Sequence, residues 1–415
     1  MATTRTTVLN SSLPSDKPRS ASLREQLFVH LLSKIREGRL QIVLPSGLIV
    51  TVGEAELGPE RMEITDTAFF GRIFSGGSVG LGEAYVDGLW TTPNLSGVLK
   101  VFARNQKHFG QSKRGFSLLT RAFNRIYHLG RKNTLSKSKE NIQEHYDLSN
   151  DFYETFLDAS MTYSSALFTS YYESLEQAQI NKIDRMLDLA GVQPGDRILE
   201  IGSGWGALAL RAAERGCSVK TITLSEEQLA YAKQRFEKSP HGDRIEIVLQ
   251  DYRELKGSFD AVVSCEMIEA VGKEFLQSYF STIRQSLKPG AKAVVQAITI
   301  PDDRYEQYSR SCDWIQKHIF PGGHLPSPAA IESHVEAAGE MNVLSMEGFG
   351  GDYAETLNRW AKEFNRNAKK IGALGFDAKF RRKWNYYLSY CEAGFDADLI
   401  DVKHVVLQRT AARSR

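Results

Sequence analysis

The chain has 415 residues, 42% hydrophobic and 25% charged, ordinary proportions for a soluble globular protein with room for two or three domains. Its four cysteines (Cys217, Cys265, Cys312, Cys391) show no C-x-x-C spacing. They point to a reduced compartment rather than a disulfide scaffold or zinc site, and no metal site is expected. The net charge of +2 hides an asymmetry, because residues 100–139 carry 11 basic side chains and no acidic one.

Residues 1–22, rich in Ser and Thr with Pro14 and Pro18, lack the apolar core of a signal peptide and are expected to be a disordered tail. No run of 18 apolar residues occurs, so no membrane span is expected. Leu23, Leu27, Leu31 and Ile35, four apart, predict one apolar face of a helix over 23–36. Residues 40–44 and 48–52 flank a Pro-Ser-Gly turn and predict a hairpin, followed by a strand from Met62 and a short helix over 68–74. These elements make residues 23–100 a small N-terminal α/β domain. Gly76–Gly82 is glycine-rich, but it has no strand-to-helix frame and no Lys, and it reads as a structural turn rather than a phosphate loop.

Residues 101–139 read as a basic amphipathic helical linker. Phe116, Leu119, Phe123, Ile126 and Tyr127 share one helical face, while Arg121 and Arg125 share another. Such a helix can lie on an anionic lipid surface, and a solvated inter-domain linker is the alternative. No nucleic-acid partner is expected, since neither a recognised binding fold nor stacking aromatics accompany the charge.

From residue 140 to 415 strand and helix patterns alternate, which implies a parallel sheet covered on both faces. Strands are predicted at 197–201, 218–224, 244–249, 259–264, 291–299 and 402–407. Helices are predicted at 174–190, 206–216, 226–238, 273–287, 353–371 and 377–394. Within this region Arg197–Ile201 is a buried-strand pattern and Ala207–Arg215 a helical one, joined by Gly202-Ser-Gly-Trp-Gly206. Glycines allow the tight turn and a close approach of backbone to ligand, although a structural bend would use them too. The spacing is not G-x-G-x-x-G and no Lys-Ser/Thr follows, which excludes the dinucleotide and phosphate-loop readings. Glu200 directly before the turn resembles the acidic-strand-then-GxGxG pattern of S-adenosylmethionine (SAM) methyltransferases.

Further segments carry a more specific resemblance. They are His145–Tyr153, Met161–Ser165, Leu249–Arg253, Glu266–Gly272, Ile319–Ser327 and Asp352–Leu357. In this order and spacing they resemble the cyclopropane-fatty-acyl-phospholipid synthase family, which includes the mycolic acid methyltransferases. The segment Gly80–Gly88 also resembles the synthases' N-terminal domain. The resemblance implies an α/β protein: a Rossmann-like SAM-dependent methyltransferase domain with a smaller N-terminal α/β domain.

It also implies a set of site residues. SAM would lie on Gly202, Gly204 and Gly206, with Tyr163 and Ser164 over its methionine end. Thr223, Leu224 and Gln228 would surround the ribose, where no carboxylate ends the second strand. Asp251 and Tyr252 would meet the adenine. Family synthases are understood to hold a bicarbonate as base on Glu, His and Tyr positions, of which Glu269 and Tyr353 match. The strand histidine is replaced by Gln296, the histidine after Glu269 by Ala270, and the cysteine after Tyr-Ser by Ser165. Gln296 and the Ser165 hydroxyl can still donate to an anion. His145 and His324 are further polar candidates, His324 also reading as a local cap, and Cys265 reads as packing beside the SAM site.

The implied activity is C-methylation of the cis double bond in unsaturated phospholipid acyl chains. Cyclopropane, methylene and methyl-branched products all remain open, as does a small-molecule N- or C-methyltransferase. A non-catalytic lipid-binding protein is a remoter alternative. The implied partners are unsaturated phospholipid in an anionic membrane surface and, through the N-terminal domain, a second copy of the chain. The implied location is cytoplasmic, peripheral to the inner face of the membrane.

Overall fold

The computed structural model describes residues 7–9, 20–54, 58–109, 148–170 and 172–411. The basic helix expected over 114–132 and His145 lie outside them. The described residues divide into two compact units, one joining those up to 109 with 375–399, the other holding 148–374 and 400–411.

The first unit is built on a five-stranded sheet in the order β1-β3-β2-β4-β5 (Thr7–Leu9, Ile49–Glu54, Gly38–Val43, Glu60–Ile64, Trp90–Thr91). The predicted hairpin is β2 and β3, paired antiparallel from Gly38↔Glu54 to Val43↔Ile49. Helix α1 (Leu23–Leu32) forms where expected but turns a different face inward. Phe28 and Leu32 are buried, whereas Leu23 is 72% and Leu27 49% exposed. The side is chosen by partners on the next helix, where Phe69 and Phe70 meet the Phe28 ring edge-on at 5.1 and 5.8 Å. Glu25 is buried on the same side, its carboxylate accepting from the Ser22 and Ser46 amides.

Helix α2 (Ala68–Val86) takes in the glycine stretch expected to be a turn and kinks within it at Gly77, whose φ of 55° is left-handed. A Cβ on Gly80 would stand 2.1 Å from the Arg72 carbonyl, so glycine serves a close packing of the two half-helices. Helix α3 (Leu95–Arg104) completes the N-terminal part.

A single domain over 140–415 is not what forms. The segment 375–399, including the predicted C-terminal helix (Ala378–Asp396, here α14), folds with the first unit. The Arg382 guanidinium donates to the carbonyls of Tyr85 and Trp90 at 2.6 and 2.8 Å and lies 4.0 Å from the Tyr85 ring centroid. Lys100 meets the buried carboxylate of Glu392 at 2.9 Å. Nothing local in the sequence of α14 announces partners almost 300 positions earlier.

The second unit is built on a seven-stranded sheet in the order β11-β12-β10-β9-β6-β7-β8. Strands β6 (Arg197–Ile201), β7 (Ser218–Thr223), β8 (Ile245–Leu249), β9 (Phe259–Cys265) and β10 (Leu287–Thr299) are mutually parallel. The last pair, β11 (Met341–Gly348) and β12 (Asp401–Arg409), is added antiparallel. All six predicted strands form. Strand β11 went unpredicted because it is an edge strand without an apolar run, with Leu344 48% exposed.

The helices of this unit are α4 (Asn150–Tyr153), α5 (Leu175–Leu189), α6 (Ala207–Glu214), α7 (Glu226–Glu237), α8 (Leu276–Ser286), α9 (Asp302–Ser309), α10 (Trp314–His318), α11 (Pro328–Ala338), α12 (Gly350–Arg366) and α13 (Ala368–Ala373). One apolar layer packs Ile183, Met186, Leu187, Leu208 and Ala212 against one face of the sheet. Another packs Tyr279, Phe280, Ile283, Ile331 and Val335 against the other. Strand order reverses at β6, with β7 on one side and β9 on the other, and this opens a crevice at the carboxyl ends of those strands. Among the described residues no helix is long and apolar enough to cross a membrane.

Candidate active site

The glycine turn sits in that crevice. Gly202, Gly204 and Gly206 have φ of 96°, 49° and 88°, all left-handed, and the amides of Gly202 and Ser203 donate to the Ile222 carbonyl. A Cβ on Gly206 would come within 2.6 Å of the Phe236 ring, so both backbone angle and space demand glycine there. Glu200 ends the strand below with only 2% of its surface exposed. Burial pushes its carboxyl up to about 8, opposed first by the Thr221 hydroxyl and then by the charge of Lys182.

At the end of β7 the Thr223 hydroxyl donates to Gln228 Oε1 at 2.9 Å, and Ser225 caps α7 by accepting from the Gln228 amide. The Gln228 carboxamide oxygen is thereby fixed, which leaves its NH₂ as the group for a polar ligand. Leu224 lies half-buried between them. Asp251 is engaged differently from the expectation. Arg253 grips both carboxylate oxygens at 2.8 and 2.7 Å, so an adenine amine at Asp251 would share a carboxylate already neutralised. Tyr252 is 8% exposed and packs edge-on against Tyr279.

Tyr163 lies among rings, its centroid 5.3 Å from both Tyr153 and Trp360. Trp360 in turn meets Tyr353 edge-on. Ser164 accepts from Lys182 Nζ at 2.6 Å.

The four expected reaction residues are only partly brought together, and the carboxylate at their centre is Glu266. Its Oε1 accepts from the Ser165 amide at 2.8 Å and from Gln296 Nε2 at 2.7 Å, while its Oε2 accepts from the Tyr353 hydroxyl at 2.6 Å. Ser165 thus contributes its backbone N–H; its hydroxyl donates to the Ala166 carbonyl instead. Glu266 follows β9 with φ of 48°, a left-handed angle that costs a side-chain-bearing residue about 1–2 kcal/mol. Burial raises its carboxyl above the ordinary range, opposed by these hydrogen bonds and by the charge of Lys182.

Glu269 stands apart from that cluster. Its Oε1 accepts from the Ile298 amide at 2.5 Å, and its Oε2 is buried with no hydrogen-bond partner among the described residues. Burial, and then the charge of Glu266, pushes it up to about 8.

His404 is the residue that sequence reasoning missed. It faces Gln296 across the antiparallel pair β10–β12. Burial pulls its imidazole down to about 3, so it is neutral. Gln296 Oε1 can only accept, so the 3.0 Å contact is donation from His404 Nε2, which turns the Gln296 amide nitrogen toward Glu266. Only strand register could have revealed this pairing. His324 is 5% exposed, its Nε2 3.1 Å from the Tyr305 hydroxyl and its amide donating to the Glu269 carbonyl, so it braces the turn. The four cysteines are free, and among the described residues no cluster could hold a metal.

The sheet order, the glycine turn and its acidic strand end define a SAM-dependent methyltransferase. The family model described as mycolic acid cyclopropane synthetase matches residues 133–405, and the chain belongs to that family. It is 41% identical over 346 residues to the tuberculostearic acid methyltransferase UfaA1 of Mycobacterium tuberculosis, spanning 81% of this chain and 80% of that protein. It is 35% identical over 365 residues to the cyclopropane-fatty-acyl-phospholipid synthase of Escherichia coli K12, spanning 85% and 88%. Among solved structures, mycolic acid cyclopropane synthase CmaA1 complexed with SAH and CTAB aligns with a TM-score of 0.61 at 31% identity, over 65% of this chain and 98% of that one.

Proposed function

We propose that this enzyme methylates a cis double bond in the acyl chain of a membrane phospholipid, and that the Glu266 carboxylate takes the proton that must then leave. The observation that carries the reading is the carboxylate itself, held by the Ser165 amide, Gln296 and Tyr353.

The sulfonium of SAM supplies an electrophilic methyl, so the alkene π pair forms the new C–C bond as the C–S bond breaks and positive charge is left on the chain. The surrounding protein has three tasks. Tyr163, Tyr353 and Trp360 present ring faces to the cation and exclude water. The donors Gln296 and Tyr353 aim the Glu266 oxygens. Glu266 accepts the proton, and the C–H electron pair becomes the new bond of the product. A bound bicarbonate does not fit this arrangement, because Gln296 and Tyr353, two of the groups expected to hold it, already hold a carboxylate of the chain.

The relatives support an acyl substrate, and their names divide over the product. The fatty-acid methyltransferase has the higher identity over a similar share of the chain, and we favour a one-carbon branch over a ring. The glycine turn with Tyr163, Ser164, Thr223, Leu224, Gln228, Asp251 and Tyr252 is the proposed SAM site. The basic excess of residues 100–139 supports peripheral attachment to an anionic membrane face on the cytoplasmic side, and a homodimer remains part of the proposal.

Monounsaturated phospholipid vesicles incubated with enzyme and SAM bearing a fully deuterated methyl test the reading by mass spectrometry of the released fatty acids. Retention of three deuteriums means a methyl-branched alkene, with the proton taken from the chain. Loss of one means a methylene or a cyclopropane, and only the methylene takes up hydrogen under mild hydrogenation. Unlabelled lipid would overturn the phospholipid reading.

A further inference from the structure

Lys182, on α5, is the only fully buried lysine among the described residues, with 1% of its surface exposed. Its hydrogen bonds go to Ser164 Oγ at 2.6 Å and Cys265 Sγ at 3.4 Å, both neutral partners. Burial raises the Cys265 thiol, which donates in turn to Ser164 Oγ at 3.4 Å. One turn earlier on the same helix, the fully buried Gln179 donates to the Ser164 carbonyl at 2.9 Å. Helix α5 therefore clamps the segment that carries Tyr163, Ser164 and Ser165, from beneath and with polar groups only.

A buried amine with only neutral hydrogen-bond partners is unusual, since a charge taken out of water needs other groups to compensate it. Its charge is felt by two buried carboxyl groups. Lys182 acts on Glu200 below the glycine turn and on Glu266 in the reaction chamber. The titratable groups facing this pair are Glu200 on β6, Cys265 on β9, Glu269 in the following turn, Tyr279 on α8, Tyr353 on α12 and His404 on β12. Arg185 lies one turn along α5, paired with Glu347 at the surface. The charge of Lys182 favours ionised Glu266 alongside the hydrogen bonds from Tyr353, the Ser165 amide and Gln296, and His404 beside Gln296 is neutral.

We propose that Lys182 is a positioning residue for both halves of the reaction: through Ser164 it holds the 163–165 segment over the SAM crevice, and through Ser164 and Cys265, the neighbours of Ser165 and Glu266, it places a positive charge that assists Glu266 as proton acceptor. The second half rests on Glu266 being the base.

The test is the pH dependence of kcat on monounsaturated vesicles, with SAM affinity and thermal unfolding measured in parallel. Lys182→Met moves the acid limb upward by about 1–3 pH units, the range expected when an opposite charge beside a carboxylate is removed, and its rate recovers at high pH. Lys182→Arg keeps the charge and leaves the limb near its original place. Lys182→Gln keeps a donor for Ser164 without charge, so it moves the limb while SAM affinity stays within a few-fold. A Lys182→Met enzyme slowed by the same factor at every pH, or unchanged throughout, would overturn the proposal. Where neither neutral variant folds, Ser164→Ala decides: weaker SAM binding with an unmoved limb supports the proposal, and a moved limb or intact binding defeats it. Failure of the underlying reading shows separately, as a Glu266→Gln enzyme that keeps both rate and acid limb.

Discussion

The crevice at the glycine turn and the chamber around Glu266, the proposed SAM and reaction sites, follow the neighbouring strands β6 and β9, and they are built in opposite ways. The crevice is made by backbone: three glycines with left-handed φ within five residues, with helix α6 starting directly after them. The chamber is made mainly by side chains brought from far apart, Tyr353 to Glu266 across 87 positions and His404 to Gln296 across 108, with the Ser165 amide reaching Glu266 across 101. A backbone site survives many side-chain changes but tolerates no Cβ in the wrong place. A side-chain site keeps its backbone and can change its chemistry at a single position.

The largest expected effect separates two carboxylates three residues apart. Glu266→Gln should lower kcat by about 10²–10⁴, the usual contribution of a general base, with SAM binding retained. Glu269→Gln should cost far less, and steady-state kinetics giving the reverse order would return the role to Glu269. Removing one donor in Tyr353→Phe should lower kcat by about tenfold and move the acid limb upward, since that hydrogen bond favours ionised Glu266. An unmoved limb would mean that Tyr353 only shapes the cavity.

In the crevice, Gly206→Ala should cost about 1–3 kcal/mol of stability, through strain at φ 88° and the clash with Phe236, and should weaken SAM binding. Denaturant unfolding and SAM titration would measure both, and a wild-type-like variant would show that the turn can relax. The smallest effect concerns pH and stability. The Glu200 carboxyl is raised from 4.5 to about 8 by burial, so between those values the unfolded chain has lost a proton that the folded one keeps. This contribution to stability is fully present below 4.5 and is lost as pH rises through about 8. Glu200→Gln should flatten that slope in chemical denaturation of the SAM-free protein; an unchanged slope would assign it to other groups.

Much of the crevice was legible in the sequence because its determinants are contiguous. An acidic strand end, a G-x-G-x-G turn and a helix opening are read along ten residues, and the six predicted strands of the large sheet follow from their apolar runs. The inward face of α1 was not legible, since four-apart leucines mark a stripe without saying which stripe meets Phe69 and Phe70. Neither was the home of Ala378–Asp396, whose Arg382 finds its acceptors at Tyr85 and Trp90.

The sequence by itself determined the fold class, the cofactor and the family, because these rest on local pattern and on motif order. Only the tertiary structure decided which carboxylate stands at the centre of the chamber. Glu266 and Glu269 are indistinguishable as letters in Glu-Met-Ile-Glu. The left-handed turn at Glu266 sends one side chain to Gln296 and Tyr353, while the other is held by the backbone of β10 at Ile298. That choice depends on strand register, which brings together residues that the chain order keeps apart.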